Sequence, residues 1–216
     1  MKSKVSASLL ACNKEKIIDE VQSLENNGVD FVHFDVMDGK FVNNVSFNDD
    51  TFQKIRKYSS LPFEIHLMVE NPLDYLDRYN FSQEDVLIVH YESFSDEESL
   101  ISCLIKIKEH HKVGLTFKPK TDYLKVERLL KYLDYLLIMS VEPGFGGQSF
   151  LNDSLEKIAY FAKLKNQYHY QIEVDGGIND LTAQKCIISG ADILVSGSYL
   201  FKENMKERVK LIKCEK

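Results

Sequence analysis

Val32-His33-Phe34-Asp35-Val36-Met37-Asp38-Gly39 is the stretch around which this chain is organised. Residues two apart on a strand project to the same side. His33 and Asp35 therefore point together, Met37 joins them if the strand runs on, and Phe34 and Val36 face the other way. An imidazole and a carboxylate held side by side at a strand end can bind a divalent metal. A buried His–Asp hydrogen bond with no metal accounts for the same pair. The segment breaks at Asp38-Gly39, as a strand does when it enters a loop.

On either side of this stretch the chain alternates short apolar runs with longer amphipathic ones. The runs at 5–10, 29–36, 61–69, 85–91, 112–117, 135–141, 170–174 and 193–196 read as strands. Helical spacing or helix-start chemistry marks 14–26, 49–58, 73–79, 96–110, 122–132, 152–167 and 181–189, and a last helix falls in the tail. Eight strands alternating with eight helical segments predict an α/β protein, a single (β/α)8 TIM barrel spanning 1–216. An open doubly wound sheet is the alternative. The barrel is favoured by the count and by chemistry-bearing residues that follow many strands.

Composition narrows the function. The 216 residues carry a formal net charge of −6, which supports no nucleic-acid role, and 44% of them are hydrophobic, enough for a large core. Cys12, Cys103, Cys186 and Cys214 form no CxxC pair and read as reduced thiols of an intracellular protein. The short apolar run after Met1 is too brief for a signal peptide, and no stretch is long enough to span a membrane. A soluble cytoplasmic protein with no membrane partner is expected.

In a barrel the C-terminal strand ends converge on one mouth. His33 and Asp35 end the second strand, His66 the third and Asp175 the seventh. Two imidazoles and two carboxylates make a plausible ligand set for one zinc, iron, manganese or cobalt ion. His90, alone at its strand end, reads as structural or supporting. Gly144-Phe145-Gly146-Gly147-Gln148, Gly176-Gly177 and Gly197-Ser198 follow strands six, seven and eight, where barrels commonly bind phosphate on backbone N–H groups. Ordinary turns are the competing reading. No P-loop or dinucleotide fingerprint is present. Met37, Met68 and Met139 end strands around the same mouth, as core filling or as a polarisable lining that keeps water from the reacting carbon.

These residues together resemble the ribulose-phosphate 3-epimerase family over nearly the whole chain. The resemblance runs through Ser8, His33-x-Asp35-x-Met37-Asp38-Gly39, His66-Leu67-Met68-Val69, Met139-Ser140-Val141-Glu142-Pro143-Gly144-Phe145-Gly146-Gly147-Gln148 and Glu173-Val174-Asp175-Gly176-Gly177 to Gly197-Ser198. It implies an enzyme of the pentose phosphate pathway that interconverts D-ribulose 5-phosphate and D-xylulose 5-phosphate through an enediolate. Asp35 and Asp175 would be the acid/base pair, and His33, Asp35, His66 and Asp175 would hold one divalent metal ion. Ser8, His66 and the three methionines would touch the substrate beside the metal, and Gly144, Gly146, Gly147, Gly176, Gly177, Gly197 and Ser198 would take the phosphate end. The expected partners are a phosphorylated ketopentose and further copies of the chain in a homo-oligomer.

The chain departs from the family pattern at Asn43, at Asn48 and at Ala11-Cys12-Asn13. Asn48 stands where the family usually has glycine, and asparagine tolerates a positive φ better than most residues, so the loop there is expected to keep its shape. Three other readings compete: an epimerase of D-allulose 6-phosphate, an aldolase or decarboxylase on a phosphate-binding barrel, and a non-catalytic phosphosugar-binding protein. Asp175-Gly176-Gly177 leans toward the pentose substrate. The Asp-x-Lys pattern of the second alternative is absent after the third strand. Retention of all four ligand-type residues argues against the third.

Overall fold

The structure is a computed structural model that describes residues 2–76, 78–79 and 81–215. Eight parallel strands close in sequence order into a barrel, the (β/α)8 architecture expected. They are β1 (Lys4–Ser8), β2 (Phe31–Met37), β3 (Phe63–Met68), β4 (Val86–His90), β5 (Lys112–Phe117), β6 (Tyr135–Met139), β7 (Gln171–Asp175) and β8 (Ile193–Ser196). The helices are α1 (Ile17–Asn26), α2 (Asp49–Arg56), α3 (Glu97–Lys108), α4 (Ser154–Ala162), α5 (Lys165–Tyr168), α6 (Asp180–Ser189) and α7 (Met205–Ile212).

Alternation along each strand sorts the side chains. Val5, Val32, Phe34, Ile65, Leu67, Leu136 and Val174 belong to the core between barrel and helices. Phe31, Val86, Ile88, Tyr135, Leu137, Met139 and Ile193 form a separate cluster that fills the barrel itself. The helices carry matching stripes: Ile17, Val21 and Leu24 are the buried residues of α1, at helical spacing. Asp96 caps α3 by accepting the Ser99 N–H at 2.8 Å, and Lys106 and Lys108 sit in its last turn.

Several expected helices take another form. Only a 3₁₀ turn, Pro72–Tyr75, stands in 73–79, where Asp77 lies outside the described residues. Leu73 is exposed there and Pro72 is the one buried residue of the turn, so there is too little apolar stripe to hold a helix. Tyr123–Tyr132 is 3₁₀ as well, and its Tyr123, Val126 and Leu129 recur every third residue, the period of that helix. The helix expected at 152–167 divides into α4 and α5, and the one at 14–26 opens with a 3₁₀ turn at Lys14–Lys16. Asn48 does not have a positive φ. Its φ is −100°, and it caps α2 by accepting the Thr51 N–H at 3.0 Å.

The base of the barrel repeats one device four times. An aspartate stands immediately before each even-numbered strand and accepts a backbone N–H from the preceding odd-numbered one. Asp30 takes Val5 N–H at 2.8 Å, Asp85 takes Phe63 N–H at 2.8 Å, Asp134 takes Val113 N–H at 3.0 Å and Asp192 takes Ile172 N–H at 2.8 Å. Each aspartate also has a cation: Lys213 at 2.7 Å, Arg56 at 3.4 Å, Lys108 at 3.0 Å and Lys165 at 2.6 Å respectively. The aspartates thus clip strands in pairs at the end away from the mouth.

Asp85 is the fully buried member and also accepts the Ser82 N–H at 2.7 Å. Replacing it by alanine strands two backbone donors, each worth ~1–3 kcal/mol when buried and unpaired. Urea unfolding of Asp85→Ala is expected to show a loss of about 2–5 kcal/mol. Asp30→Ala, at a half-exposed site, is expected to lose less. Equal losses at the two positions would contradict the role given to burial.

Candidate active site

The strand register brings the chemistry together. Asp35 pairs with His66 across β2 and β3, Ser8 pairs with His33 across β1 and β2, and Met139 pairs with Asp175 across β6 and β7. His33, Asp35, His66 and Asp175 each offer one donor atom, and the four atoms all lie within 4.8 Å of one another. His33 Nε2 is 3.3 Å from His66 Nδ1. Asp35 Oδ1 is 3.5 Å from the first nitrogen and 3.2 Å from the second. Asp175 Oδ2 lies 3.9 Å and 4.0 Å from the same two nitrogens. Ser8 donates its hydroxyl to Asp35 Oδ2 at 2.9 Å.

This donor set fits a divalent cation. Two ligands bound at ~2.0–2.2 Å to one ion stand roughly 3–3.6 Å apart, close to the separations found. Two imidazole nitrogens facing each other need a proton or a cation between them. The described cysteines all have free thiols and none belongs to the cluster, so the donors are nitrogen and oxygen.

Beneath the cluster lies a second layer that the residue-by-residue reading missed. Glu64 and Glu173 are fully buried inside the barrel. Glu173 Oε1 is 3.2 Å from His33 Nδ1 and Glu64 Oε2 is 3.6 Å from it. Ser6 donates its hydroxyl to Glu64. Glu64 stands two residues before His66, and Glu173 two before Asp175. The period-two rule that paired His33 with Asp35 was the available signal. To the side, His66 Nε2 lies 2.9 Å from His90 Nε2, and His90 Nδ1 lies 3.4 Å from Glu92 Oε2. His90 is therefore tied to the cluster through His66, in keeping with a supporting place.

Burial dominates the electrostatics. It pushes the Asp35 carboxyl up, but His33 and His66 outweigh it and hold the group well below the usual carboxylate range. At Asp175 burial wins over the attraction of His33, and with the charge of Asp35 it lifts the carboxyl to about 7. Burial and then Glu64 push Glu173 well above its ordinary value. Burial lowers the His90 imidazole to about 4, so this ring is neutral.

Above the cluster opens a cavity of about 440 Å³. Ser8, Asp35, Met37, Met68, Met139, Gly144, Gly146, Gly147, Asp175, Gly176, Gly177, Gly197 and Ser198 all line it. His33 and His66 lie below its floor, fully buried. Among the described lining residues Lys202 is the only cation, a position the sequence reading did not single out. Asn179 and Thr182, the capping pair of α6, also reach the cavity wall. The loops after β6 and β7 are packed closely: a Cβ on Gly177 would stand 2.7 Å from the Phe150 backbone nitrogen, and Gly177 has a φ of +63°.

Comparison with known proteins gives the same architecture a family. The model of the "Ribulose-phosphate 3 epimerase family" matches residues 4–201. A ribulose-phosphate 3-epimerase of Chlamydia pneumoniae is 36% identical over 218 residues, covering 98% of this chain and 94% of that protein. One from Bacillus subtilis is 35% identical and covers 95% of each. Among solved structures, a 3-hexulose-6-phosphate synthase superposes with a TM-score of 0.67 at 14% identity, covering 99% of both chains. Orotidine 5'-phosphate decarboxylase from Pyrococcus horikoshii gives 0.66 at 13% identity, covering 97% of both. These two likenesses concern the fold alone.

The barrel and the family match together define an enzyme, an epimerase built on a (β/α)8 scaffold. The chain belongs to the ribulose-phosphate 3-epimerase family. Epimerase activity in the pentose phosphate pathway goes with that membership. No helix among the described residues is long and apolar enough to cross a membrane.

The packing at Gly177 makes a prediction. An alanine there adds a left-handed non-glycine residue, costing ~1–3 kcal/mol, and a contact with the backbone of Phe150. Gly177→Ala is expected to lower stability by about 2 kcal/mol or more in urea unfolding. An unchanged transition midpoint would contradict the close seating of the two loops.

Proposed function

We propose that this enzyme interconverts D-ribulose 5-phosphate and D-xylulose 5-phosphate by proton exchange at C3, with Asp35 and Asp175 as the two bases. The observation that carries the reading is the convergence of these aspartates, on the floor of one cavity, with His33 and His66 directly beneath them. The names of the family's members support the substrate. His33 Nε2, His66 Nδ1, Asp35 and Asp175 would hold one divalent ion, of zinc, iron, manganese or cobalt. When bound, it supplies Lewis-acid stabilisation of the charge that develops on the substrate oxygens at C2 and C3.

In this reading one aspartate takes the proton from C3. The C–H electron pair moves into a C2–C3 double bond, and the C2 carbonyl oxygen takes up the charge. The other aspartate delivers a proton to the opposite face of C3. The roles reverse with direction. Ser8 holds one Asp35 oxygen by its hydrogen bond and so fixes the carboxylate plane. Met37, Met68 and Met139 present thioether surface at the cavity floor and exclude water beside the reacting carbon. The glycine loops after β6, β7 and β8, with α6 beginning just beyond Gly176-Gly177, would receive the phosphate end. Lys202 on the same cavity wall adds a positive charge there. The whole of 1–216 would act as one barrel domain.

Two experiments test this. Protein prepared without chelator is expected to contain about one divalent transition-metal ion per chain and to turn over ribulose 5-phosphate. Asp175→Asn and Asp35→Asn should each lose epimerisation by more than the ~10²–10⁴-fold typical of one acid–base group. Each should still exchange the C3 proton of one epimer with deuterium, the two mutants acting on opposite epimers. NMR of each pure epimer reads this out, with metal content measured alongside. Epimerase activity retained in either metal-loaded mutant would rule out the two-base assignment. For the phosphate end, Gly197→Leu should raise KM strongly and leave metal content unchanged, because a Cβ at Gly197 already stands 3.0 Å from Ala11 Cβ. An unaltered KM would place the phosphate elsewhere.

A further inference from the structure

We propose that Ser46 and Ser140 are a matched pair of positioning residues, each aiming one of the two reacting carboxylates by gripping that aspartate's own backbone carbonyl. That each carboxylate serves one face of the substrate rests on the reading above. The two grips do not.

Both aspartates stand where strand pairing runs out. β1 ends at Ser8, opposite His33, so Asp35 and Met37 lie beyond its last residue. The loop after β2 folds back through the Asp38–Val45 bridge and brings Ser46 to that gap. The Ser46 hydroxyl accepts the Met37 N–H at 2.9 Å and donates to the Asp35 carbonyl at 2.5 Å. One side chain thus does the donor and acceptor work of a further strand residue. At the other aspartate, Met139 and Asp175 are the last pair of β6 and β7. Ser140 follows, fully buried, and donates its N–H to the Asp175 carbonyl at 2.8 Å. Its hydroxyl lies 2.9 Å from the same carbonyl and 2.7 Å from that of Gly176. Carbonyls only accept, so the hydroxyl is the donor to both. Two successive carbonyls reach one hydroxyl because Gly176 turns at a φ of +120°, where a Cβ would stand 2.5 Å from Val141 Cγ2.

Each serine acts on its carboxylate through the main chain of the aspartate. A residue's carbonyl and its Cβ hang from the same Cα. Holding the carbonyl fixes ψ, and with it the direction in which the carboxylate leaves the strand. A proton-transfer group needs that direction held closely, because small misplacements of reacting atoms are costly. The two grips differ in strength. Ser46 holds Asp35 by its hydroxyl alone, whereas Ser140 holds Asp175 by N–H and hydroxyl together. They also come from different places, Ser46 from the loop after β2 and Ser140 from the end of β6, so each can be loosened without touching the other.

The test separates the two faces. Each pure epimer, deuterated at C3, is incubated with metal-loaded enzyme in ordinary water, and the initial release of deuterium is followed by NMR. Ser46→Ala should slow release from the epimer that Asp35→Asn no longer exchanges by roughly 10²-fold, the cost of a misplaced reacting group. Ser140→Ala keeps the N–H grip, so it should slow release from the opposite epimer by roughly tenfold, the worth of one hydrogen bond. In each variant epimerisation falls while release from the other epimer stays near the wild-type rate. Ser46→Thr retains the hydroxyl and should restore release. A general loosening of the fold, or loss of metal, slows both epimers alike. Equal slowing in either folded variant therefore overturns the proposal, as does slowing confined to the wrong epimer, or a Ser46→Thr no faster than Ser46→Ala. If Ser140→Ala does not fold, Ser46→Ala, at a half-buried loop position, decides alone. Crystal structures of the variants read the geometry without turnover: each should show its own aspartate displaced and the other in place. Unmoved aspartates overturn the proposal. Those displacements in a protein whose wild type epimerises neither sugar uphold the grips and remove the reading above instead.

Discussion

Closure of the sheet is the constraint on which the rest depends. In a closed parallel barrel every second residue of every strand must point into one narrow interior, and there is no solvent face to receive a misfit. Four strands use this rule to deliver polar residues in pairs two apart: Ser6 and Ser8, His33 and Asp35, Glu64 and His66, Glu173 and Asp175. The lower members, Ser6, His33, Glu64 and Glu173, make contacts among themselves below the mouth. Asp35, His66 and Asp175 of the upper tier form the donor cluster with Nε2 of His33. Strands β4, β6 and β8 send Ile88, Leu137 and Ile193 into the same space, so the polar column packs against an apolar wall. The wall lowers the dielectric around the column, which strengthens every charge interaction within it.

That arrangement is costly to leave unbalanced. Glu64 and Glu173 are carboxylates buried together, and oxygens of both lack a hydrogen-bond partner among the described residues. His33 is the natural counterweight, because its Nδ1 faces them while its Nε2 faces Asp35. The imidazole thus transmits between the two tiers. His66 is placed likewise, between the donor cluster and His90. Both histidines have one nitrogen toward the mouth and the other committed to a partner outside the cluster, which is how ligand imidazoles are usually oriented.

The sequence made much of this readable, for a physical reason. Strand alternation and glycine-bearing loops are local signals, so the barrel, His33, Asp35, His66, Asp175 and the glycine and methionine lining of the cavity were legible from residue types and spacing. The misses were of three kinds. Glu64 and Glu173 carried the same period-two signal, but a glutamate inside a strand is read as solvent-facing unless the partner strands are known, and only the closed register shows otherwise. The segment at 73–79 made only a short turn, and the helix at 122–132 took the 3₁₀ form, because helix type follows from what the segment packs against, which a single stretch does not contain. The aspartates at the barrel base were invisible for a third reason. Asp30, Asp85, Asp134 and Asp192 repeat in space, but connections of unequal length separate them in sequence, so no fixed period announces them.

The aspartates also explain how the mouth can carry so much unfavourable burial. Each clips an odd strand to the even strand that follows it, at the end of the barrel opposite the cavity. Strand pairing at the base is thereby fixed by charged hydrogen bonds that do not involve any residue of the donor cluster. The loops at the mouth can then be shaped by glycines with positive φ, at Gly144, Gly147, Gly176 and Gly177, without having to hold the strands in register. Stability concentrated at one end leaves the other free to hold glycine-shaped loops and closely spaced carboxylates.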